Sequence, residues 1–344
     1  MGAKVKDRLK LKEIAELAGV SPATVTLVRA GKNGVSDDKR AQISFLLAQN
    51  GYSQSAVSSH QVTFLFLKYI KHSLLVDGNP GFVTSIMDSI EEECRKNKSN
   101  LLVSTITRDS LRLTVEQLEF NPPDGIFLLG TEIEQAELEY FLNMPCPVVV
   151  VDNPVDNLPM SSITMDNRSA IYSVVKYLHG CGHTGIGFLQ NELPASNCIC
   201  RERAFADAVL QFGYKKSDCP IFSVQPTTSA AYASIKKLIS KNVHFPSALI
   251  ANNDAIALGA LKAFNEDGIR VPEDVSLVGF DGLPFSEVSS PPLTTIAVPC
   301  REIGSLAVQM MYRLLEHPEF APSKMRVTTK IIYRSSVKEI TPSV

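Results

Sequence analysis

Apolar positions recur with two different periods along this chain, and the change falls near residue 60. In the first fifty residues Leu11, Ile14, Ala15, Leu17 and Ala18 follow helical spacing, and Gly19 stops the run. Ser21 is a good N-cap and Pro22 a good first helical residue, because the N–H that proline lacks has no partner at that position. A second short helix over 22–29 is predicted, with Val25 and Val28 on its inner side. Gly31 to Gly34 reads as a loop. Ser36, Asp37 and Asp38 open a third helix, with both acids near the positive end of its dipole. Ile43, Leu46 and Leu47 supply its stripe, and Asn50-Gly51 ends it. Two helices of about eight residues joined by a tight glycine turn, then a third, make a helix-turn-helix arrangement.

From Val62 onward, short apolar runs alternate with amphipathic segments. Strands are predicted over 62–67, 101–106, 125–129, 147–151, 185–189, 248–251 and 275–279. Helices are predicted near 82–97, 134–143, 167–179, 201–213, 229–240 and 254–267. Strands alternating with helices of this length imply parallel sheets in an α/β layer fold. The number of elements exceeds one small doubly wound sheet, so two lobes are expected.

Composition narrows the class. The chain has 344 residues, 44% hydrophobic and 20% charged, which is ordinary for a soluble globular protein of two or three units. No uncharged apolar run is long enough for a membrane helix, and the N-terminus has no signal-peptide core, so a cytoplasmic protein is expected. Seven scattered cysteines with no Cys-x-x-Cys read as reduced thiols rather than a disulfide frame or zinc site. Residues 1–60 carry nine Lys/Arg against five Asp/Glu, and the remainder 25 against 31. A basic head on an acidic body suits a polyanion-binding module, although a solvated basic terminus gives the same excess.

The residues of the head carry a resemblance. Leu-Lys-Glu-Ile-Ala-Glu-Leu-Ala-Gly-Val-Ser-Pro-Ala-Thr-Val-Thr (11–26), then Gly31, Val35-Ser36 and Asn50-Gly51-Tyr52, resembles the head of the LacI/GalR family of bacterial transcription regulators. The resemblance implies that the second helix enters the major groove. Ser21, Pro22, Ala23, Thr24, Thr26, Leu27, Arg29, Ser36 and Tyr52 then become the DNA-contact residues. Hydroxyls at Ser21, Thr24 and Thr26 suit phosphate oxygens, which set register rather than sequence. Pro22 and Ala23 stand at base-reading positions and offer only apolar contact, for example to a thymine methyl. Leu27 replaces an arginine common in the family, and Arg29 is a candidate substitute. Lys10 stands where the family often has a threonine cap. Residues 53–61 lack Lys and Arg, and Gln61 occupies the place of the leucine that wedges the minor groove. A polar linker is therefore expected there as readily as a hinge helix.

The resemblance extends over nearly the whole chain. Pro122 to Phe127, Asp166-Asn167, Gly182-His183, Ala251 to Asp254, Ala257 to Leu261, Val271 to Asp281, Pro291 to Thr295 and Arg334 to Ser336 fall in family order. Together they imply a periplasmic-binding-protein-like body of two lobes closing on a small ligand. The expected organisation is a small all-α helix-turn-helix head (1–54), a linker or hinge (55–61) and a two-lobed effector-binding and dimerisation body (62–344). Lobe 1 is placed at 62–160 and 289–321, lobe 2 at 161–288 and 322–340, with crossings near 160, 288 and 322.

Ligands of α/β sheets bind beyond the carboxyl ends of strands. Asp152, Asp281 and Asn253-Asp254 follow such strands, and Arg201 opens a predicted helix. The resemblance puts Arg201, Asn253 and Asp281 on effector-contact positions, with Asp152 and Phe82 as further transfers. Helix capping or strand-end bonding is the alternative for the polar residues, and a place in the core the alternative for Phe82. Carboxylates, an amide and a guanidinium suit a polar ligand, first of all a carbohydrate, with purine-like effectors left open. Pro226 stands where an aromatic wall is common in the family; Phe280 and Phe82 are candidate replacements.

Enzyme signals are weak. Gly182-His-Thr-Gly185-Ile-Gly187 precedes a strand instead of opening a helix, which is wrong for a nucleotide loop. His179 and His183 flank glycines that break the helix a metal pair needs. Cys198 and Cys200 near Arg201 read as buried loop cysteines or a perturbed thiol site. No catalytic residue, metal or cofactor is assigned. The expectation is a homodimeric regulator, most often a repressor in this family, on a twofold operator, gated by a small effector and without membrane contact. The alternative is a solute-binding or enzyme-like α/β protein whose head binds nucleic acid incidentally.

Overall fold

The computed structural model describes residues 9–29, 34–50, 61–76 and 79–340. Two compact units divide the chain at Val62 and Thr63. The first holds α1 (Leu11–Ala18), α2 (Pro22–Arg29) and α3 (Asp37–Gln49). Gly19 ends α1 in the left-handed region at φ 65°, where its N–H and that of Val20 bond the carbonyls of Glu16 and Ala15. Ile14, Ala15, Ala18, Val25, Val28, Ile43 and Leu47 form the core of this unit. The larger of them contribute about 1.5–3 kcal/mol each by burial. At Lys10 the helix start is satisfied in reverse: the Glu13 carboxylate accepts the Lys10 backbone N–H at 2.5 Å. Tyr52 and residues 55–60 of the expected linker lie outside the described residues.

The second unit runs β1 (Thr63–Ile70), α4 (Pro80–Lys96), β2 (Asn100–Thr107), α5 (Leu111–Phe120), β3 (Gly125–Leu129), α6 (Gln135–Leu138), β4 (Val148–Val151) and β5 (Ser161–Met165). It continues through α7 (Asn167–Gly180), β6 (Ile186–Asn191), α8 (Ser196–Gln211), β7 (Ile221–Val224), α9 (Thr228–Ser240), β8 (Ala248–Ala251), α10 (Asp254–Glu266) and β9 (Ser276–Asp281). It closes with α11 (Pro284–Val288), β10 (Thr294–Ala297), α12 (Cys300–Glu316), β11 (Lys324–Val327) and β12 (Lys330–Ile332). Among the described residues two six-stranded sheets result, ordered β11-β5-β4-β3-β1-β2 and β12-β10-β9-β8-β6-β7. Every pairing is parallel except β10 with β12.

The sheets define the lobes and move the expected crossings. β5 pairs with β4, β10 with β9 and β11 with β5. The chain therefore changes lobe at Asp166, again at 298–299 and again at 328–329, each time later than the sequence expectation of 160, 288 and 322. The cause is common to all three. A short strand completes the sheet it is leaving before the chain departs. Ser161, Ser162, Thr164, Thr294 and Thr295 are polar yet buried, so these strands carry little hydrophobic signal. α8 also starts at Ser196 rather than 201, so Arg201 lies in its second turn and both Cys198 and Cys200 are helical rather than in a loop. All seven cysteines are free.

Candidate functional site

Both sheets end at a shared cleft. β4 delivers Asp152 from lobe 1, and β9 delivers Asp281 from lobe 2. Both have positive φ, 64° and 115°, a backbone conformation that side-chain-bearing residues seldom hold without compensation. Leu75, Asn79, Phe82 and Thr131 join Asp152 from lobe 1. Ala195, Asn197, Cys198, Arg201, Asn252 and Asn253 join Asp281 from lobe 2. The space they enclose is about 40 Å³, well below the usual range for small-molecule sites, so the lobes stand close together here. All five side chains singled out as effector contacts, Arg201, Asn253, Asp281, Asp152 and Phe82, thus come to one place.

Arg201 is 5% exposed and is held in plane. Its Nε donates to Asn167 Oδ1 at 2.8 Å and one terminal nitrogen donates to the Asn252 carbonyl at 2.6 Å. Asn167 Nδ2 donates to Asn197 Oδ1 at 2.8 Å. Asn197 Nδ2 in turn reaches the Asp152 carboxylate at 2.7 Å and its carbonyl at 2.8 Å. The guanidinium is therefore linked to the lobe 1 carboxylate through two amides. Thr131 donates to the other Asp152 oxygen at 2.6 Å. Across the cleft, Asn79 Nδ2 donates to Asp281 at 2.8 Å.

Burial dominates the electrostatics. It pushes the Asp281 carboxyl up to about 8; Arg201 opposes the shift, the nearby Asp254 and Asp152 reinforce it, and the Asn79 bond opposes it. Burial likewise pushes Asp152 up to about 6 against the pull of Thr131, Arg201 and Asn197. Asp254 is raised to about 6 by burial, yet accepts from Thr295 at 2.6 Å and from the Leu283 N–H at 2.7 Å. It ties β10 to the turn that follows β9 and is absent from the cavity wall. Asn253 plays two parts: its Oδ1 caps α10 through the Ile256 N–H at 2.8 Å, and the residue also lines the cavity. A polar ligand entering this site meets a fixed cation, two carboxyls and several amides, which suits hydroxyl-rich chemistry.

Sequence reasoning missed Asn79, Asn167, Asn197, Asn252 and Thr131 as site residues. Asn167 and Asn252 fall within runs that the resemblance already marks, but the role of each of the five depends on what the fold brings opposite it. Phe280 is buried beneath Arg201 and does not line the cavity.

In the head, Pro22, Ala23, Thr26 and Leu27 are exposed, while Val25 and Val28 are buried. α2 thus presents a continuous outer face. Ser21 Oγ accepts the Thr24 N–H at 3.1 Å and shares a bond with the Thr24 hydroxyl at 2.8 Å. The Thr26 hydroxyl donates back to the Pro22 carbonyl at 3.0 Å. The hydroxyls read as phosphate contacts are engaged within the helix, and the remaining outward surface is apolar. Arg29 is half-buried at the helix end, and Ser36 is exposed just before α3.

Comparison with known proteins follows the same two units. Residues 10–55 match the model of bacterial regulatory proteins, lacI family, and 175–337 match that of a periplasmic binding protein-like domain. The ribose operon repressor of Haemophilus influenzae is 30% identical over 311 residues, covering 90% of this chain and 92% of that protein. The HTH-type transcriptional repressor PurR of Pasteurella multocida is 28% identical, covering 95% and 98%. Among solved structures, a transcriptional regulator CelR–cellobiose complex superposes with a TM-score of 0.70 at 22% identity, covering 96% of this chain and all of that one. A lac repressor dimer bound to operator and the anti-inducer ONPF gives 0.69 at 21%, with the same coverage. A ribose-bound regulator from Enterococcus faecium gives 0.70 at 21%, covering 81% of this chain and all of that one.

Proposed function

This chain belongs to the lacI family of bacterial regulatory proteins, and from that premise we propose that it represses transcription under the control of a small polyhydroxylated effector. The observation that carries the effector assignment is the convergence of buried Arg201, Asp152 and Asp281 with Asn253 in one cavity between the lobes. Related regulators hold cellobiose or ribose, and a saccharide is the first effector class to test.

The proposed DNA contact is α2, with Pro22, Ala23 and Leu27 toward base edges and Ser21, Thr24, Thr26, Arg29, Ser36 and Tyr52 around them. Residues 1–54 form the DNA-binding domain, 55–61 the connection and 62–344 the effector and dimerisation body. The working form is a cytoplasmic homodimer, since paired heads match a twofold operator. The effector acts by differential affinity for two lobe postures, which shifts their populations and with them operator affinity.

The test is a gel shift of a twofold-symmetric fragment from the gene's own upstream region, using the full chain and a chain lacking residues 1–60. A salt-sensitive shift that needs the head is expected. Its absence overturns the regulator assignment for this DNA. Calorimetric titration with D-ribose, D-glucose and cellobiose tests the effector class. Heat with none of them overturns the saccharide assignment.

A further inference from the structure

Asn79 occupies the N-cap position of α4, where an asparagine side chain ordinarily accepts a backbone N–H of the first turn. Here it makes no such bond. Its Nδ2 reaches across the cleft to Asp281 at 2.8 Å, and its Oδ1 is buried without a partner among the described residues. The residue is only 9% exposed. The cap has been given up for a contact with a residue 202 positions away.

The same arrangement appears in reverse. Asn197, in the first turn of α8 on lobe 2, donates to both the carboxylate and the carbonyl of Asp152 on lobe 1. Its own Oδ1 is fixed by Thr164 at 3.3 Å and Asn167 at 2.8 Å. Each lobe therefore offers an aspartate at a strand end, and the facing lobe covers it with an amide from the start of a helix. Both aspartates are at positive φ, so each carboxylate is aimed by its backbone as well as by its partner.

We propose that Asn79 and Asn197 are positioning residues of a reciprocal clip, each holding the facing lobe's carboxylate and together setting lobe closure. The clip rests on the effector reading for its regulatory meaning, because the clipped carboxylates are the ones assigned to the ligand. A ligand hydroxyl that donates to Asp152 shares oxygens already used by Thr131 and Asn197. One that donates to Asp281 shares the carboxylate with Asn79. Occupancy and closure are thereby coupled through the same atoms.

The test is hydrogen exchange followed by mass spectrometry on the full chain without ligand, so its outcome does not depend on finding the effector. Asn79→Ser keeps a good N-cap for α4 but is too short to reach Asp281. Asn197→Ala keeps a good helix former in α8 and removes the other clip. We expect Asn79→Ser to speed exchange about tenfold in residues 279–284 of the opposite lobe, and Asn197→Ala to do the same in 150–154. Asp281→Ala approaches the first clip from the other side and should release 79–84. Exchange in β1, β3, β6 and β8 should stay as in the wild type, which also reports that each variant is folded. Changes confined to the substituted lobe, or below about twofold in the facing lobe, overturn the clip. Failure of the saccharide titrations with these exchange results intact overturns the effector reading alone.

Discussion

The guanidinium carbon of Arg201 lies 3.5 Å from the centroid of the Phe280 ring. The flat cation rests on an aromatic face while its edge is held by Asn167 and the Asn252 carbonyl. A desolvated stack of this kind is worth about 2 kcal/mol or more. Lysine cannot reproduce it, having neither the plane nor the fork of donors. Arg201→Lys is expected to weaken binding of the saccharide identified by calorimetry by about tenfold or more. Phe280→Leu should weaken it by a smaller factor. Unchanged affinity in both would remove Arg201 from the effector site.

Asp281 gives a pH signature. Its carboxyl is pushed up to about 8 by burial, so the folded chain retains a proton that the unfolded chain has released above the ordinary aspartate value. That contribution to stability is fully present below the ordinary value and is lost as pH rises toward 8. The melting temperature of the wild type should therefore fall more steeply than that of Asp281→Asn between about pH 6 and 8.5. Parallel profiles would contradict the assignment.

His183 acts in the opposite direction. It is 2% exposed, its Nδ1 pairs with Ser247 Oγ at 2.9 Å, and burial pushes its pKa down to about 4. The folded state prefers the neutral ring, so stability is present above the ordinary histidine value and is lost as pH falls toward 4. His183→Gln should flatten the acid side of the melting profile, read in the same titration. An acid limb as steep as the wild type's would count against it.

The outer face of α2 offers methyl groups rather than donors. Thymine methyls in the major groove are the natural complement. Amplifying the shifted fragment with deoxyuridine in place of thymidine removes every such methyl while keeping the base sequence. We expect weaker binding to the uridine fragment, and a Leu27→Ala penalty that is larger on the thymidine fragment than on the uridine one. Additive losses in this cycle would show that Leu27 does not touch a methyl.

The head's small core predicts separable losses. Ile43 is fully buried in it. Ile43→Ala should cost the head about 2–5 kcal/mol and abolish the gel shift. Saccharide binding by the second unit should be unchanged in the same preparation. A parallel loss of effector affinity would contradict the division at Val62 and Thr63.

The head was legible because its signals are local. Gly19, Ser21-Pro22 and the Ile14, Val25 and Ile43 stripes each act within a few residues. Asp152 and Asp281 were legible because strand ends advertise where an α/β sheet binds, and Arg201 because the resemblance marks its position. The asparagines were not, because an amide at position 79 or 197 is unremarkable until the fold sets a carboxylate opposite it. The crossing strands escaped for want of apolar residues: β5 reads Ser-Ser-Ile-Thr-Met and is buried throughout, its polar atoms being satisfied by the sheet and by contacts such as Ser162 Oγ with the Pro154 carbonyl. α12 carries a clear stripe at Ile303, Ala307, Val308 and Met311, so this helix is legible in the sequence although the expected elements stop short of it.

The triple crossing bears on how the molecule comes into being. β11 and β12 supply one edge strand to each sheet from within residues 324–332. While the ribosome still holds that stretch, both sheets are incomplete, whereas the three-helix head has long since emerged with all its partners. A nascent or prematurely terminated product would carry a finished head on an unfinished two-sheet body.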